Sequence, residues 1–257
     1  MFIDSHCHLN DEKLLDRIDE VLSSAQETGV GLFLVVGWDM ASSERAIEIA
    51  KKHRNVYAAI GFHPENLAGV SESDLLRIKA MAADPKVKAI GEIGLDYHWF
   101  KAPQDRINQK KWFTKQIHLA NSLGLPVSIH AREASSDVLE ILKANPVKAG
   151  GVLHCYSSSS EMIPEFAELG LYFGFDGPIT YKNAVEPKRS VEACPIDRLL
   201  SETDSPYLSP VPFRGQVNEP KNIPLIVKEI ALLKKLTVEE TSARIERNFR
   251  NLFCVKQ

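Results

Sequence analysis

The chain opens with MFIDSHCHLN, in which Asp4, His6 and His8 recur at every second residue. In an extended strand successive side chains alternate between faces, so these three share one face while Ile3, Ser5 and Cys7 take the other. One face of the first strand is therefore polar, titratable and able to ligate a metal ion. A lone His-x-His is also the pattern of a surface strand carrying two histidines, and the rest of the chain decides between the two. The same residue types recur at the ends of other apolar runs: His63 in GFHP, Glu92 in GEIGLDY, His130 in SIHAR, His154 in LHCY and Asp204 in ETD. Imidazoles with carboxylates suit borderline divalent ions such as zinc, manganese or nickel, and one carboxylate can bridge two ions. A pair of ions roughly 3.5–4 Å apart activates water and clamps the attacking and leaving oxygens of a displacement, which is the chemistry of a hydrolase.

Residues so far apart in the chain need a scaffold that gathers strand ends. Eight β-rich apolar runs can be read: FID, LFLVVG, VYAAIG, VKAIGEIG, PVSIH, GGVLHCY, LYFGFDG and RLLSETD. The segments between them, such as DEKLLDRIDEVLSSAQETG and RINQKKWFTKQIHLANSLG, have helical periodicity and end at a glycine suited to close a helix. Alternation of this kind predicts a parallel sheet with crossover helices. The 257 residues match one (β/α)8 barrel of ~250 residues, and no G-x-G-x-x-G follows the first strand. The expected fold is thus α/β, a TIM-like (β/α)8 barrel in one domain over 1–257, with an additional C-terminal helix over Val238–Phe253. In such a barrel the active site lies where the strands end, which is where the histidines and carboxylates fall. The Pro-rich stretch SPYLSPVPFRGQVNEP from Ser205 to Pro220 follows the last strand and is expected to lie over that mouth.

Bulk properties narrow the class. A formal charge of −3 argues against a protein that coats nucleic acid non-specifically, which takes many cations. The longest apolar stretch, near Val30 to Val36, is too short to span a bilayer. Cys7, Cys155, Cys194 and Cys254 show no C-x-x-C spacing, and the first residues show no secretory pattern, so reduced thiols and a cytoplasmic location are expected.

With these residues in view, the chain resembles the TatD-like metal-dependent hydrolases, a branch of the amidohydrolase superfamily that includes deoxyribonucleases. The resemblance runs through DSHCHL, GFHP, AIGEIGLDY, QIHLA, PVSIHAR, GGVLHCY, GPITYKN, LLSETDSPYL and PFRGQVNEP. It implies two divalent ions (Zn, Mn, Mg or Ni), with His6, His8, Glu92 and Asp204 on one and Glu92, His130 and His154 on the other. It further implies Asp204 as general base, His63, Arg132 and Arg214 along the phosphate region, and DNA as substrate, with cleavage expected from an end. The chain departs from the family's frequent Thr-x-x-Asn run at RIERNFRNLF, where Asn248 and Phe253 still match.

Other features keep two readings each. Asp4 either orients one imidazole or caps a buried backbone group. Lys101, Arg106, Lys110, Lys111 and Lys115, with Lys182, Lys188 and Arg189, are either a solvated helix face or an attraction for a polyanion. Trp99, Tyr181, Tyr207 and Phe213 either pack in the core or in loops, or stack bases. Two rival functions also stand: hydrolysis of an aminoacyl ester, amide or lactone, as in D-aminoacyl-tRNA deacylases, and a non-enzymatic, metal-stabilised binding protein.

Overall fold

The computed structural model describes residues 1–256. Its strands are β1 (Phe2–Cys7), β2 (Val30–Val36), β3 (Val56–Ile60), β4 (Val87–Asp96), β5 (Val127–Arg132), β6 (Gly151–Leu153), β7 (Leu171–Phe175) and β8 (Leu199–Ser201). They pair in parallel in sequence order from β1 to β8. Helices α1 (Glu12–Leu15), α2 (Ile18–Glu27), α3 (Met40–Lys52), α4 (Glu72–Met81), α5 (Pro103–Leu123), α6 (Ser135–Ala144), α7 (Ile163–Glu168), α8 (Val185–Ala193) and α9 (Ile223–Lys234) cover the outside, followed by α10 (Val238–Phe253). This is the TIM-like (β/α)8 barrel with an extra C-terminal helix that the alternation predicts.

The seam between β8 and β1 is closed mainly by short polar groups. Ser201 Oγ donates to Ile3 O at 2.7 Å, Ser5 Oγ to Ser201 O at 3.1 Å, and Asp204 N to His6 O at 2.9 Å. Two sequence-distant halves of the polar mouth are thereby fixed to each other.

Local chemistry explains why the helices start and stop where they do. Asp39 and Ser42 form a reciprocal cap on α3, and Thr237 and Glu240 form one on α10. α5 begins at Pro103 and ends at Gly124, whose φ of 65° lies in the left-handed region that glycine enters freely. α10 buries Ile245, Phe249, Leu252 and Phe253, and Asn248 donates to Ile196 O and Leu199 O at 2.8 Å each, holding the helix against the start of β8. The departure in RIERNFRNLF thus falls at the opposite end of β8 from Asp204.

Among the described residues, no helix is long and apolar enough to cross a membrane. All four cysteines are free thiols.

Candidate metal centre

The period-two pattern of β1 does what its geometry requires. His6 and His8 turn the same way, and their Nε2 atoms lie 3.3 Å apart. Glu92, midway along β4, stands between two groups of imidazoles. Its Oε2 lies 3.6 Å from His6 Nε2 and 3.7 Å from His8 Nε2. Its Oε1 lies 2.7 Å from His154 Nε2, 3.0 Å from His130 Nδ1 and 3.4 Å from His63 Nε2. Asp204, three residues beyond β8, brings Oδ1 to 3.3 Å from His8 Nε2 and 3.8 Å from His6 Nε2. All seven strand-end residues read from the sequence therefore converge on one place.

At His8, His130 and His63, hydrogen bonds on the far side of the ring fix which nitrogen faces inward. His8 Nδ1 lies 2.9 Å from Val36 O, which only accepts, so the neutral ring carries its hydrogen there and turns the Nε2 lone pair toward Asp204 and Glu92. His130 Nε2 lies 3.0 Å from Asp96 Oδ2, leaving the Nδ1 lone pair for the centre. His63 is the opposite case. Its Nδ1 accepts from the Glu65 N–H at 3.2 Å, so the neutral ring carries hydrogen on the inward Nε2. Proximity groups His63 with Glu92 and His130, just as it groups His6 with His8 and Asp204, and His6 with Glu92 and His154. Hydrogen bonding separates His63 from the others, because it faces inward as a donor.

Lone pairs aimed at carboxylate oxygens need positive charge between them. Protonating every ring would crowd cations together, since His6 stacks on His154 at 3.9 Å and His130 Nδ1 lies 3.2 Å from His154 Nε2. Divalent metal would satisfy the same donors without that repulsion, so the donor set fits a metal centre.

The electrostatics follow the arrangement. Where the rings take up a second proton the balance changes: burial works against the ionised form of Glu92, but the imidazolium charges of His154 and His63 and hydrogen bonds from protonated His130 and His154 outweigh it, holding Glu92 well below the usual carboxylate range. Asp204 is lowered in the same way, burial being overcome chiefly by the bond from His8. Burial lowers His63 and His6, whereas at His130 and His154 the adjacent carboxylates overcome burial and raise the imidazoles.

Asp4 caps backbone and does not orient an imidazole. It accepts from Thr203 N at 3.0 Å, from Thr203 Oγ1 at 2.6 Å and from His6 N at 3.4 Å, and burial pushes its pKa up to about 8. Two cavities open beside the centre. One, of about 510 Å3, is lined by Trp38, His63, Glu65, Asn66 and Arg132; the other, of about 410 Å3, by Arg132, Cys155, Ser157, Pro178 and Leu208. Arg132 borders both. Arg214 borders neither and lies over the Tyr181 ring at 4.4 Å. Trp99 (63% exposed), Tyr207 (45%) and Phe213 (37%) are too open to be core packing. A larger groove of about 590 Å3 between α2 and α3 holds mixed charges such as Arg17, Glu48 and Lys52 and none of the strand-end residues.

The sequence reading did not single out Asp96, Asp176 or Glu202, all buried acids at strand ends beside this centre. For Glu202 a signal was present: it stands two residues before Asp204 in ETD, the spacing that singled out His6 and His8.

Comparison with known proteins agrees with this geometry. The family model described as TatD related DNase matches residues 3–254. The chain is 44% identical over 256 residues to the uncharacterized metal-dependent hydrolase YabD of Bacillus subtilis, covering 99% of this chain and 100% of that one. It is 36% identical over 257 residues to the uncharacterized metal-dependent hydrolase YcfH of Escherichia coli K12, covering 98% and 96%. The crystal structure of YJJV, a TatD homologue from Escherichia coli K12, superposes with a TM-score of 0.94 at 30% identity, covering 99% of this chain and 98% of that one. A barrel whose mouth gathers imidazoles around one shared carboxylate, matched along nearly its whole length, belongs to the TatD family of metal-dependent hydrolases.

Proposed function

We propose that this hydrolase cleaves phosphodiester bonds of DNA at a centre of two divalent ions. The observation that carries the two-ion reading is the division of Glu92, whose Oε2 faces His6 and His8 while its Oε1 faces His130 and His154. In this reading His6, His8, Asp204 and Glu92 would hold one ion, and Glu92, His130 and His154 would hold the other. Bound there, the ions would activate water and offset charge on the phosphoryl oxygens. Asp204, kept ionised by the bond from His8, has a free carboxylate with which to take the proton of the attacking water as general base. His63, with hydrogen on its inward Nε2, and Arg132, between the two cavities, donate to phosphate oxygens. Arg214 meets the strand farther out on the Ser205–Pro220 loop. The DNase description of the matching family supports this substrate, as do the exposed aromatics Trp99, Tyr207 and Phe213 near the mouth. The four free thiols suit the reducing cytoplasm.

One observation favours a second reading. Glu65 lines the 510 Å3 cavity, and a carboxylate there suits an ammonium group better than a phosphate, as on an aminoacyl ester. Metal-loaded protein assayed against end-labelled single-stranded DNA, aminoacyl-tRNA and small esters, each with and without chelator, separates the two. Chelator-sensitive release of nucleotides is the expected result. Turnover of aminoacyl-tRNA with intact DNA would overturn the nuclease reading in favour of the second.

A further inference from the structure

The imidazoles on the two sides of Glu92 are backed by different chemistry. Behind His8 stands a neutral carbonyl, Val36 O at 2.9 Å, and behind His6 a neutral hydroxyl, Ser128 Oγ at 3.4 Å from Nδ1. On the Oε1 side the rings of His130 and His154 each face a second, fully buried carboxylate. Asp96 Oδ2 lies 3.0 Å from His130 Nε2, and Glu202 Oε1 lies 3.7 Å from His154 Nδ1.

Glu202 occupies a place made for it. Its Oε1 accepts from Cys155 N and its Oε2 accepts from Ser5 Oγ at 3.3 Å. A β-carbon at position 174 would collide with the carboxylate, so Gly174 leaves it room. Its only ion-pair partner among the described residues is His154, whose Nδ1 is itself buried with no hydrogen-bond partner. Asp96 is anchored as firmly, by the N–H groups of His98 at 2.9 Å and Trp99 at 3.1 Å. A buried carboxylate without another counter-charge is costly, and these two are held against the non-inward nitrogens of one pair of imidazoles.

We propose that Asp96 and Glu202 are positioning residues that set the affinity of the ion on the Glu92 Oε1 side and leave the other ion almost unaffected. Each carboxylate keeps hydrogen on the outer ring nitrogen, orients the ring and makes its inner nitrogen a better donor. For His154 this requires closing the 3.7 Å gap to the ~2.9 Å of a hydrogen bond. The ion beside Oε2 has no need of such support, since Asp204 already supplies it a negative charge. The proposal rests on the two-ion reading but not on DNA as substrate.

The test is chelator competition monitored by elemental analysis on the full chain loaded with zinc, for wild type, Asp96→Asn, Glu202→Gln and His154→Ala. Wild type should hold two ions per chain; fewer would fail the two-ion reading itself. Asp96→Asn and Glu202→Gln should each weaken one ion by about 10–100-fold while the second keeps its affinity. Retention of that second ion shows that the variant is folded. Adding Glu202→Gln to His154→Ala should weaken binding no further, because the carboxylate acts through that ring. Two ions at wild-type affinity in both variants would overturn the proposal, as would equal loss of both ions in both.

Discussion

The outer helices and the barrel mouth are both rich in charge, yet they use it in opposite ways. On the outside, Lys143 meets Glu165 at 2.5 Å, Lys110 meets Asp137 at 2.7 Å and Lys188 meets Glu229 at 2.8 Å, all at least partly in water. Such pairs are worth about 0–1 kcal/mol. The basic run of α5 belongs here: Lys115 pairs with Glu72, and Arg106 lies over the Tyr97 ring at 4.4 Å. At the mouth, Glu92, Asp96, Glu202 and Asp204 are paired only with histidines, among the described residues, and sit beneath loops where desolvation is expensive. A protein selected for stability alone would gain little from this second arrangement. Position relative to the strand ends, and not the amount of charge, marks where the chemistry is.

If the contrast is right, the largest effect belongs to Asp204. Asp204→Asn should lower turnover by ~10²–10⁴-fold, because the amide cannot accept the proton of the attacking water, while the melting temperature stays near wild type. Near-wild-type turnover would reduce Asp204 to a cap on the turn before Pro206. Next comes the phosphate contact. Arg132→Ala should raise the apparent KM for DNA by roughly 10-fold, the scale of one lost charge-assisted hydrogen bond, and make the logarithmic salt dependence shallower by about one. Arg214→Ala, outside both cavities, should weaken binding less and equally across sequences, which a salt titration with two oligonucleotides would show.

A smaller effect sharpens the boundary between the two regions. Asp4 supports the mouth from below, and its carboxyl in the folded protein titrates at about 8 against 3.8 when unperturbed. Between these values the folded state holds a proton that the unfolded chain has released, so stability falls as pH rises through this window. Relative to Asp4→Asn, wild type should lose roughly 1.4 kcal/mol per pH unit at most between pH 5 and 7.5, measured by denaturant unfolding at each pH. A flat difference would mean that Asp4 is ionised in the folded state, stabilised by Thr203 and His6 N. The smallest effect is on the outside: Lys143→Ala should change stability by less than ~1 kcal/mol and turnover not at all.

The barrel was legible because its signals are local. Alternation in β1, apolar runs ending in His or carboxylate, and glycines closing α5 and the segment after α2 each need only a few residues. The seven strand-end residues were legible for the same reason. What escaped was the support behind them. Asp96 and Asp176 read like any acid in a loop, and their burial depends on elements packed over them from elsewhere in the chain. Which nitrogen of His63 faces inward depends on one backbone N–H, and the separation of Arg132 from Arg214 depends on the path of the Ser205–Pro220 loop. None of these has a periodicity to read.

The central claim is that Glu92 is shared between two ions, one oxygen to each. Elemental analysis of metal-loaded protein, wild type beside Glu92→Gln, tests it directly. The account predicts two ions per chain in wild type and at most one retained firmly in Glu92→Gln, with circular dichroism unchanged. A plateau at one ion in wild type, with the same occupancy in Glu92→Gln, would contradict it.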